Sequence, residues 1–143
     1  MAKVFIIDTN VLVAGVITKD NQSPTVQIVD AILTGKILFL LSSELLQEYL
    51  EVLSRPKLKK LHQLSDSEVE QLLSEITANA IWQEPETKYI APDPGDNHLW
   101  NLLMKHKDCT LITGDKILIE KPPVGRSVIT PASFIKLFLQ NIH

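Results

Sequence analysis

Apolar runs alternate with stretches of helical periodicity along the 143 residues of the chain. Short apolar runs rich in β-branched and aromatic residues predict buried strands, whereas apolar stripes at helical spacing predict amphipathic helices. The predicted strands cover residues 3–7, 37–41, 80–83, 109–113 and 127–130. The predicted helices cover residues 10–17, 24–34, 43–54, 57–63, 66–79, 96–106 and 131–141.

This alternation of strands and helices is typical of βαβ units, in which crossover helices join parallel strands. The near-continuous apolar character of the strands also favours a sheet that is buried on both faces. The predicted fold is therefore α/β, a three-layer α/β/α sandwich with a central parallel sheet. No repeat, low-complexity tract or linker divides the sequence, so residues 1–143 are expected to form a single domain.

Acidic residues stand where several of these strands end. Asp8 follows the first strand directly, and Asp115 follows the fourth strand after a short turn. Ligands of an open parallel sheet bind beyond the carboxyl ends of its strands, so both carboxylates are expected at the binding edge. Glu48 lies on the helix after the second strand, and its stem is expected to be at least partly buried. Asp93 and Asp96 precede or cap the helix that leads into the fourth strand.

Carboxylates brought together without cations would repel one another, and some would have to remain protonated. No Lys or Arg flanks Asp8 and only Lys116 flanks Asp115, so a divalent cation is the simplest neutraliser. Oxygen-only ligands favour Mg²⁺ or Mn²⁺ over zinc. Such ions activate water and stabilise charge on a phosphodiester, which predicts metal-dependent phosphodiester hydrolysis without a covalent intermediate.

Each of these acids also has a purely structural explanation. Asp8 and Asn10 are both helix-capping residue types, and we assign the cap to Asn10 and metal binding to Asp8. Taken alone, Glu48 is better explained as a solvated helical glutamate, Asp96 as a helix cap and Asp115 as a turn residue. The hypothesis of a metal site depends on the convergence of these acids at one edge of one sheet.

The net charge of −3 argues mildly against a nucleic-acid-binding protein, but the charges are unevenly distributed. If five of the 17 acids gather in a metal site, the remaining 12 are outnumbered by 14 Lys and Arg residues. One basic cluster, in the stretch RPKLKK, consists of Arg55, Lys57, Lys59 and Lys60. This basic cluster fits an ordinary solvated turn as well as it fits contacts to phosphates.

Other residues with distinctive chemistry narrow the class of protein further. The single cysteine, Cys109, excludes an internal disulfide and fits a reducing compartment, so we expect a cytoplasmic protein with Cys109 buried. His98 and His106 show no metal-ligand spacing; an approach of either to the site stays open, but a position at the surface is favoured, whereas Trp82 is expected in the core. No apolar run reaches the roughly 20 residues that a membrane helix needs, and no glycine-rich nucleotide-binding motif is present.

Five stretches of the sequence, taken together, resemble the motifs of one family. They are DTNVL at 8–12, SELLQE at 43–48 with VLSRPKL at 52–58, DPGDN at 93–97, LITGD at 111–115 and ITPASF at 129–134. Together they resemble the PIN-domain nucleases, most closely the small prokaryotic members of the VapC-like type, which are toxins of toxin–antitoxin pairs. Each tripeptide alone is a weak signal, but the combined set is specific and spans nearly the whole chain.

The resemblance implies a metal-dependent ribonuclease that prefers single-stranded RNA. Four carboxylates would hold one or two Mg²⁺ or Mn²⁺ ions: Asp8, Glu48, Asp96 and Asp115. Asp93 would be a further ligand or an outer acid, and Asn10 and Thr113 would orient the carboxylates. The RNA backbone would be held by basic side chains: Arg55, Lys57, Lys59, Lys60 and Lys116. Toxins of this family often dimerise and bind an antitoxin, so a second copy and a small antitoxin protein are expected partners beside RNA.

Two other classes of protein stay open. One is a non-catalytic PIN-like module that binds RNA or another protein, with the acids serving only as caps or relics. The other is a phosphatase of the aspartyl-phosphate type, which usually carries a second acid two residues after its nucleophilic Asp. Asn10 occupies that position, which counts against the phosphatase.

Overall fold

The computed structural model describes residues 3–86 and 89–139. Its strands form one five-stranded sheet in which every pair of neighbours is parallel. In chain order the strands are β1 (Val4–Ile7), β2 (Leu38–Leu41), β3 (Ile81–Trp82), β4 (Cys109–Ile112) and β5 (Ser127–Ile129). In space they follow the order β3-β2-β1-β4-β5. The predicted α/β fold with a central parallel sheet is confirmed.

Helices connect the strands and flank the sheet. They are α1 (Thr9–Ile17), α2 (Pro24–Leu33), α3 (Ser43–Leu53), α4 (Pro56–His62), α5 (Asp66–Asn79), α6 (Asn97–Lys105), α7 (Lys116–Glu120) and α8 (Pro131–Phe134). A 3-10 turn (Pro94–Asp96) leads into α6, and a π-helical turn (Ile135–Leu139) follows α8. Helix α1 contacts α2, α3 and α4, and α5 contacts α2 and α3, whereas α6 contacts β4 and α3, and α7 contacts β5. None of the described helices is long and apolar enough to cross a bilayer.

The core lies on both sides of β1, β2 and β4, whose side chains are buried almost throughout. Helix α1 packs closely on α2, and Gly15 makes this possible. A Cβ atom on Gly15 would lie 2.4 Å from Val29 Cγ2 and 2.5 Å from the Thr25 carbonyl oxygen, so a larger residue would push the helices apart. Cys109 is buried as expected, and burial raises the pKa of its thiol to about 11.

Most elements begin or end one residue away from the sequence-based prediction, and three differences have a clear physical cause. Helix α1 begins at Thr9, one residue earlier than predicted, because Asp8 caps it. Helix α7 was not predicted, since its five residues are too few to show helical periodicity. The predicted helix at 131–141 is α8 followed by a π-helical turn as far as Leu139, and its last two residues lie outside the described part of the chain.

The expectation that Trp82 lies in the core is wrong. Its side chain is 42% exposed, because β3 is a two-residue strand at the edge of the sheet. Edge strands have a neighbour on one side only, so their side chains are covered less completely than those of central strands.

Candidate active site

The carboxyl ends of β1 and β4 lie side by side near the centre of the sheet, where Ile7 is paired with Ile112. The chain runs from β1 toward β2 on one side and returns to β4 on the other, so the strand order reverses here. Such a reversal creates a crevice in which α/β proteins bind ligands. A cavity of about 390 Å³ lies at this edge, lined by residues of α1 and by four carboxylates, those of Asp8, Glu48, Asp96 and Asp115.

Asp8 is enclosed at the end of β1, with only 5% of its surface exposed. Its Oδ1 accepts a hydrogen bond from the Thr9 backbone N–H at 2.7 Å, which makes Asp8 the N-cap of α1. Its Oδ2 accepts hydrogen bonds from the Thr113 hydroxyl at 2.7 Å and from Asn10 Nδ2 at 3.3 Å. The assignment of the cap to Asn10 is therefore wrong, because one carboxylate both starts the helix and lines the cavity.

Burial governs the electrostatics of Asp8. Desolvation raises the pKa of its carboxyl above the ordinary range, and the hydrogen bonds from Thr113 and Thr9 oppose that rise. The negative charge of Glu48 raises the pKa of Asp8 further, although by less than burial does. The site thus holds a carboxylate whose charge is only partly compensated by the surrounding protein.

Thr113 and Asn10 tie the ends of β1 and β4 together. The Thr113 side chain is fully buried, and its hydroxyl oxygen also accepts a hydrogen bond from the Asp115 backbone N–H at 3.0 Å. Asn10 Nδ2 donates to Thr113 Oγ1 at 3.4 Å, and Asn10 Oδ1 accepts from the Gly114 N–H at 3.1 Å. These contacts are of the kind expected for side chains that orient carboxylates.

Glu48 reaches the cavity from α3. The adjacent Tyr49 is buried and donates its hydroxyl to the Ile7 carbonyl oxygen at 2.5 Å, which fastens α3 to the end of β1. The Glu48 side chain is 34% exposed, and its Oε2 lies 2.5 Å from His98 Nε2. Because Tyr49 fixes the backbone and His98 contacts the carboxylate, Glu48 is held at both ends of its side chain.

The expectation that His98 lies at the surface is wrong. His98 stands in the first turn of α6 and is 7% exposed. Burial alone would lower the pKa of His98, but its contact with Glu48 outweighs burial and raises that pKa. The same contact lowers the pKa of Glu48. Neither ring nitrogen of His98 has an aligned hydrogen bond to the described residues, so the contact with Glu48 is defined by the 2.5 Å distance between Oε2 and Nε2.

Asp96 and Asp93 occupy different environments around the turn before α6. Asp96 is the N-cap of α6 but makes no capping hydrogen bond with its side chain, and it lines the cavity. Asp93 is exposed, and its Oδ1 accepts a hydrogen bond from the Gly95 N–H at 2.9 Å. Burial and the negative charges of the neighbouring acids raise the pKa of Asp96 to about 6. Asp93 does not line the cavity.

Asp115 follows β4 and is the N-cap of α7, where its Oδ1 accepts a hydrogen bond from the Ile117 N–H at 2.9 Å. The side chain is partly exposed at the cavity, and Lys116 beside it is exposed. Asp115 therefore caps a helix and also lines the cavity, as Asp8 does. A short helix that sequence periodicity could not show thus fixes one carboxylate of the site.

The basic cluster lies on α4 and the residue before it. Arg55 lies 3.8 Å from Glu51, and Lys59 lies 2.8 Å from Asp66. Lys57 and Lys60 are exposed and have no ion pair with the described acids. The charge of Arg55 contributes to lowering the pKa of Glu48, which places the basic cluster within electrostatic reach of the cavity.

The donor set suits a hard divalent cation. Four carboxylates from four separate elements line one cavity, and oxygen ligands of this kind are those that Mg²⁺ and Mn²⁺ prefer. Burial and the negative charges of the neighbouring acids together raise the pKa of Asp96, and a cation would relieve the repulsion. Within residues 3–86 and 89–139, however, no three His, Cys, Asp or Glu side chains stand close enough to form a ready-made metal site. The chemistry of the residues fits a cation, and their spacing requires side-chain adjustment around it.

A comparison with protein families agrees with this arrangement. The family model described as PIN domain matches residues 4–117, which contain all four carboxylates of the cavity. No curated protein matches the chain.

Proposed function

Because the chain belongs to the PIN-domain family, whose members are generally nucleases that use divalent metal ions, we propose that it is a Mg²⁺- or Mn²⁺-dependent endoribonuclease. The observation that carries this proposal is the convergence of Asp8, Glu48, Asp96 and Asp115 on one cavity at the carboxyl edge of the sheet. The substrate we propose is single-stranded or structured RNA.

In this proposal the four carboxylates hold one or two divalent ions, with Asp93 as an outer acid. A bound ion supplies Lewis-acid stabilisation of the charge that develops on the phosphodiester and lowers the pKa of water. Water adds to phosphorus, the bond from phosphorus to the leaving oxygen breaks, and that oxygen takes up a proton. Thr113 and Asn10 keep the Asp8 carboxylate oriented through its Oδ2.

The basic residues are proposed to hold the RNA backbone. Lys57 and Lys60 are the exposed members of the basic cluster without an acidic partner among the described residues, and Lys116 stands beside Asp115. Arg55 and Lys59 would exchange their acidic neighbours for phosphates. Contacts of this kind are salt-sensitive and carry no sequence information.

The biological setting is a further part of the proposal. The resemblance of residues 129–134 to the ending of the VapC-like subgroup supports a cytoplasmic toxin of a toxin–antitoxin pair. Its partners would then be a small antitoxin protein and a second copy of the chain. A small reading frame directly upstream of the gene is expected under this proposal.

The test is cleavage of RNA by purified protein with Mn²⁺, compared with the Asp8→Asn variant and with wild-type protein in EDTA. Removing the buried carboxylate should reduce cleavage at least about 100-fold. The matched control is Glu75→Gln, an exposed glutamate on α5 that should leave cleavage unchanged. Equal cleavage by wild type and Asp8→Asn, or cleavage that survives EDTA, would refute the proposal. Calorimetric titration with Mn²⁺ separates the nuclease from a non-catalytic module, which need not bind the ion.

A further inference from the structure

His98 is a buried polar side chain whose one close polar contact within the described residues is a carboxylate of the candidate site. The side chain is 6% exposed, and its Nε2 lies 2.5 Å from Glu48 Oε2. Its other ring nitrogen, Nδ1, is buried without a hydrogen-bond partner in the described part of the chain. Burying an imidazole is unfavourable unless a polar group compensates it, and here that group is Glu48.

The short distance requires a proton on Nε2. Without it, an unprotonated ring nitrogen and a carboxylate oxygen, both electron-rich, would lie 2.5 Å apart and repel each other. The neutral Nε2–H tautomer and the imidazolium both carry this proton. The contact between His98 and Glu48 is therefore attractive in either protonation state of the ring.

Glu48 needs such a partner more than Asp8 does. Asp8 has a short side chain that three donors hold, whereas Glu48 has an additional rotatable bond and reaches the cavity from a helix. A glutamate side chain loses considerable rotational freedom when it is fixed in one position. Tyr49 fixes only the backbone of α3. The carboxylate itself contacts His98 at 2.5 Å, and an interaction with the Thr9 side chain adds a second, weaker hold.

We propose that His98 is a positioning residue, which holds Oε2 of Glu48 so that Oε1 is available to the divalent ion. The inference rests on the proposed function, because it concerns how a ligand of that ion is held. His98 itself is not proposed to touch the ion or the RNA. Side chains that orient a metal ligand in this way typically contribute about 10–100-fold to metal affinity.

The experiment measures the Mn²⁺ dissociation constant by calorimetry for wild type, His98→Leu and His98→Gln, with folding checked by circular dichroism. His98→Leu should weaken Mn²⁺ binding about 10–100-fold. His98→Gln should restore most of the affinity, because its amide N–H reaches about as far as Nε2. The matched control is His106→Gln, which changes the histidine that follows α6 and should bind Mn²⁺ as wild type does.

A double-mutant cycle with Glu48→Gln shows whether His98 acts through Glu48. In the Glu48→Gln background, His98→Leu should cause no further loss of Mn²⁺ affinity, whereas a full additional loss would overturn the inference. Equal affinity of wild type and folded His98→Leu would overturn the inference while leaving the proposed function intact. A wild-type protein that binds no Mn²⁺ would overturn both.

A different comparison applies if the His98→Leu variant does not fold. The comparison then uses His98→Gln and His98→Asn, since the asparagine amide is one methylene shorter and does not reach Glu48. Weaker Mn²⁺ binding by His98→Asn than by His98→Gln supports positioning, and equal binding by these two variants contradicts it.

Discussion

The two sides of the candidate site are built in different ways. On the side contributed by the first half of the chain, Asp8 is 5% exposed and is held by the Thr113 hydroxyl and the Thr9 N–H. Glu48, on the same side, contacts the buried His98. These carboxylates are attached to a core strand and to a helix that Tyr49 fastens to that strand.

On the side contributed by the second half, the carboxylates belong to turns and helix starts. Asp96 follows Pro94 and Gly95 and makes no capping hydrogen bond with its side chain. Asp115 begins the five-residue helix α7 and is partly exposed. This side has fewer internal contacts to fix the positions of its oxygens.

The four carboxylates thus form a fixed pair, Asp8 and Glu48, and an adjustable pair, Asp96 and Asp115. Side chains that are already oriented lower the cost of binding a ligand, whereas adjustable ones can move to complete the coordination. This accounts for the finding that four carboxylates line the cavity although no three metal-ligating side chains among the described residues form a tight group. A cation would draw the second pair toward the first.

The largest effect is expected from loosening the fixed side with Thr113→Val. Valine keeps the shape but removes the donor to Asp8 Oδ2 and the acceptor for the Asp115 N–H. Losing these two hydrogen bonds, one of them to a buried carboxylate, should lower the free energy of unfolding by about 1–3 kcal/mol. Mn²⁺ affinity should fall about 10–100-fold, measured by calorimetry beside urea unfolding. Thr110→Val, inside β4 and three residues before Thr113, is the control, and equal effects of the two variants would contradict the comparison.

On the adjustable side, Asp96 should make the metal-free protein less stable as the pH rises, whereas an acid paired with a cation stabilises a protein as the pH rises. The pKa of Asp96 is about 6 in the folded protein against an ordinary 3.8, so the folded state binds this proton more tightly than the unfolded state. Deprotonation above pH 6 therefore destabilises the metal-free fold, and the cost disappears as the pH falls toward 4. Asp96→Asn should stabilise the protein in EDTA at pH 8 by on the order of 1 kcal/mol after allowance for solvent screening.

Thermal unfolding at pH 8 and pH 4 measures this difference. The advantage of Asp96→Asn over wild type should be present at pH 8 and absent at pH 4. An advantage of the same size at both pH values would show that the substitution acts through packing or helix capping rather than charge. Saturating Mn²⁺ at pH 8 should reverse the order, because it stabilises the protein that retains the ligand.

A smaller effect is expected from the basic cluster, which lies toward the Glu48 side of the cavity. Removing both exposed lysines with Lys57→Gln/Lys60→Gln should reduce the slope of log affinity for single-stranded RNA against log salt by about 1.4, or about 0.7 for each phosphate contact. Binding is measured by fluorescence anisotropy in the Asp8→Asn background, which prevents cleavage. Lys59→Gln should change the slope less, because Asp66 already pairs with Lys59 at 2.8 Å. An unchanged slope in the double variant would show that Lys57 and Lys60 do not contact the RNA.

The smallest effect is expected from Asp93→Asn. Asp93 is exposed, lies outside the cavity and accepts a hydrogen bond from Gly95, which asparagine can still accept. Mn²⁺ affinity should stay within about twofold of wild type, as is usual for surface substitutions. A loss as large as that of Asp96→Asn would instead identify Asp93 as a direct ligand.

Sequence patterns predicted those structural features whose physical cause is local or repeats along the chain. The long apolar stripes predict the helices, and the rule for strand ends predicts that Asp8 and Asp115 face one edge of the sheet. The dual role of Asp8 could not be predicted, because a capping residue and a metal-ligating residue have the same signature in sequence. The structure resolves this by giving the two oxygens of one carboxylate different partners.

The burial of His98 could not be predicted from sequence for a different reason. Its burial arises where α6 meets α3, which are separated by more than forty residues and belong to different crossovers. A signal was nevertheless present, since His98 lies two residues after Asp96, in the first turn of the helix that the third motif begins. The exposure of Trp82 likewise depends on the position of β3 at the sheet edge, which the order of strands along the chain does not reveal.

The strand order also determines when the site can form during synthesis. A ribosome makes the chain from its amino terminus, and β4 enters the sheet beside β1 only after the chain has completed β2 and β3 on the other side. Until β4 docks, Asp8 lacks the Thr113 hydroxyl and the cavity lacks Asp115. A nascent chain therefore has no assembled carboxylate cluster. If the protein cuts RNA, the chain on the ribosome has no assembled site until the residues through Asp115 have been made and β4 has joined the sheet.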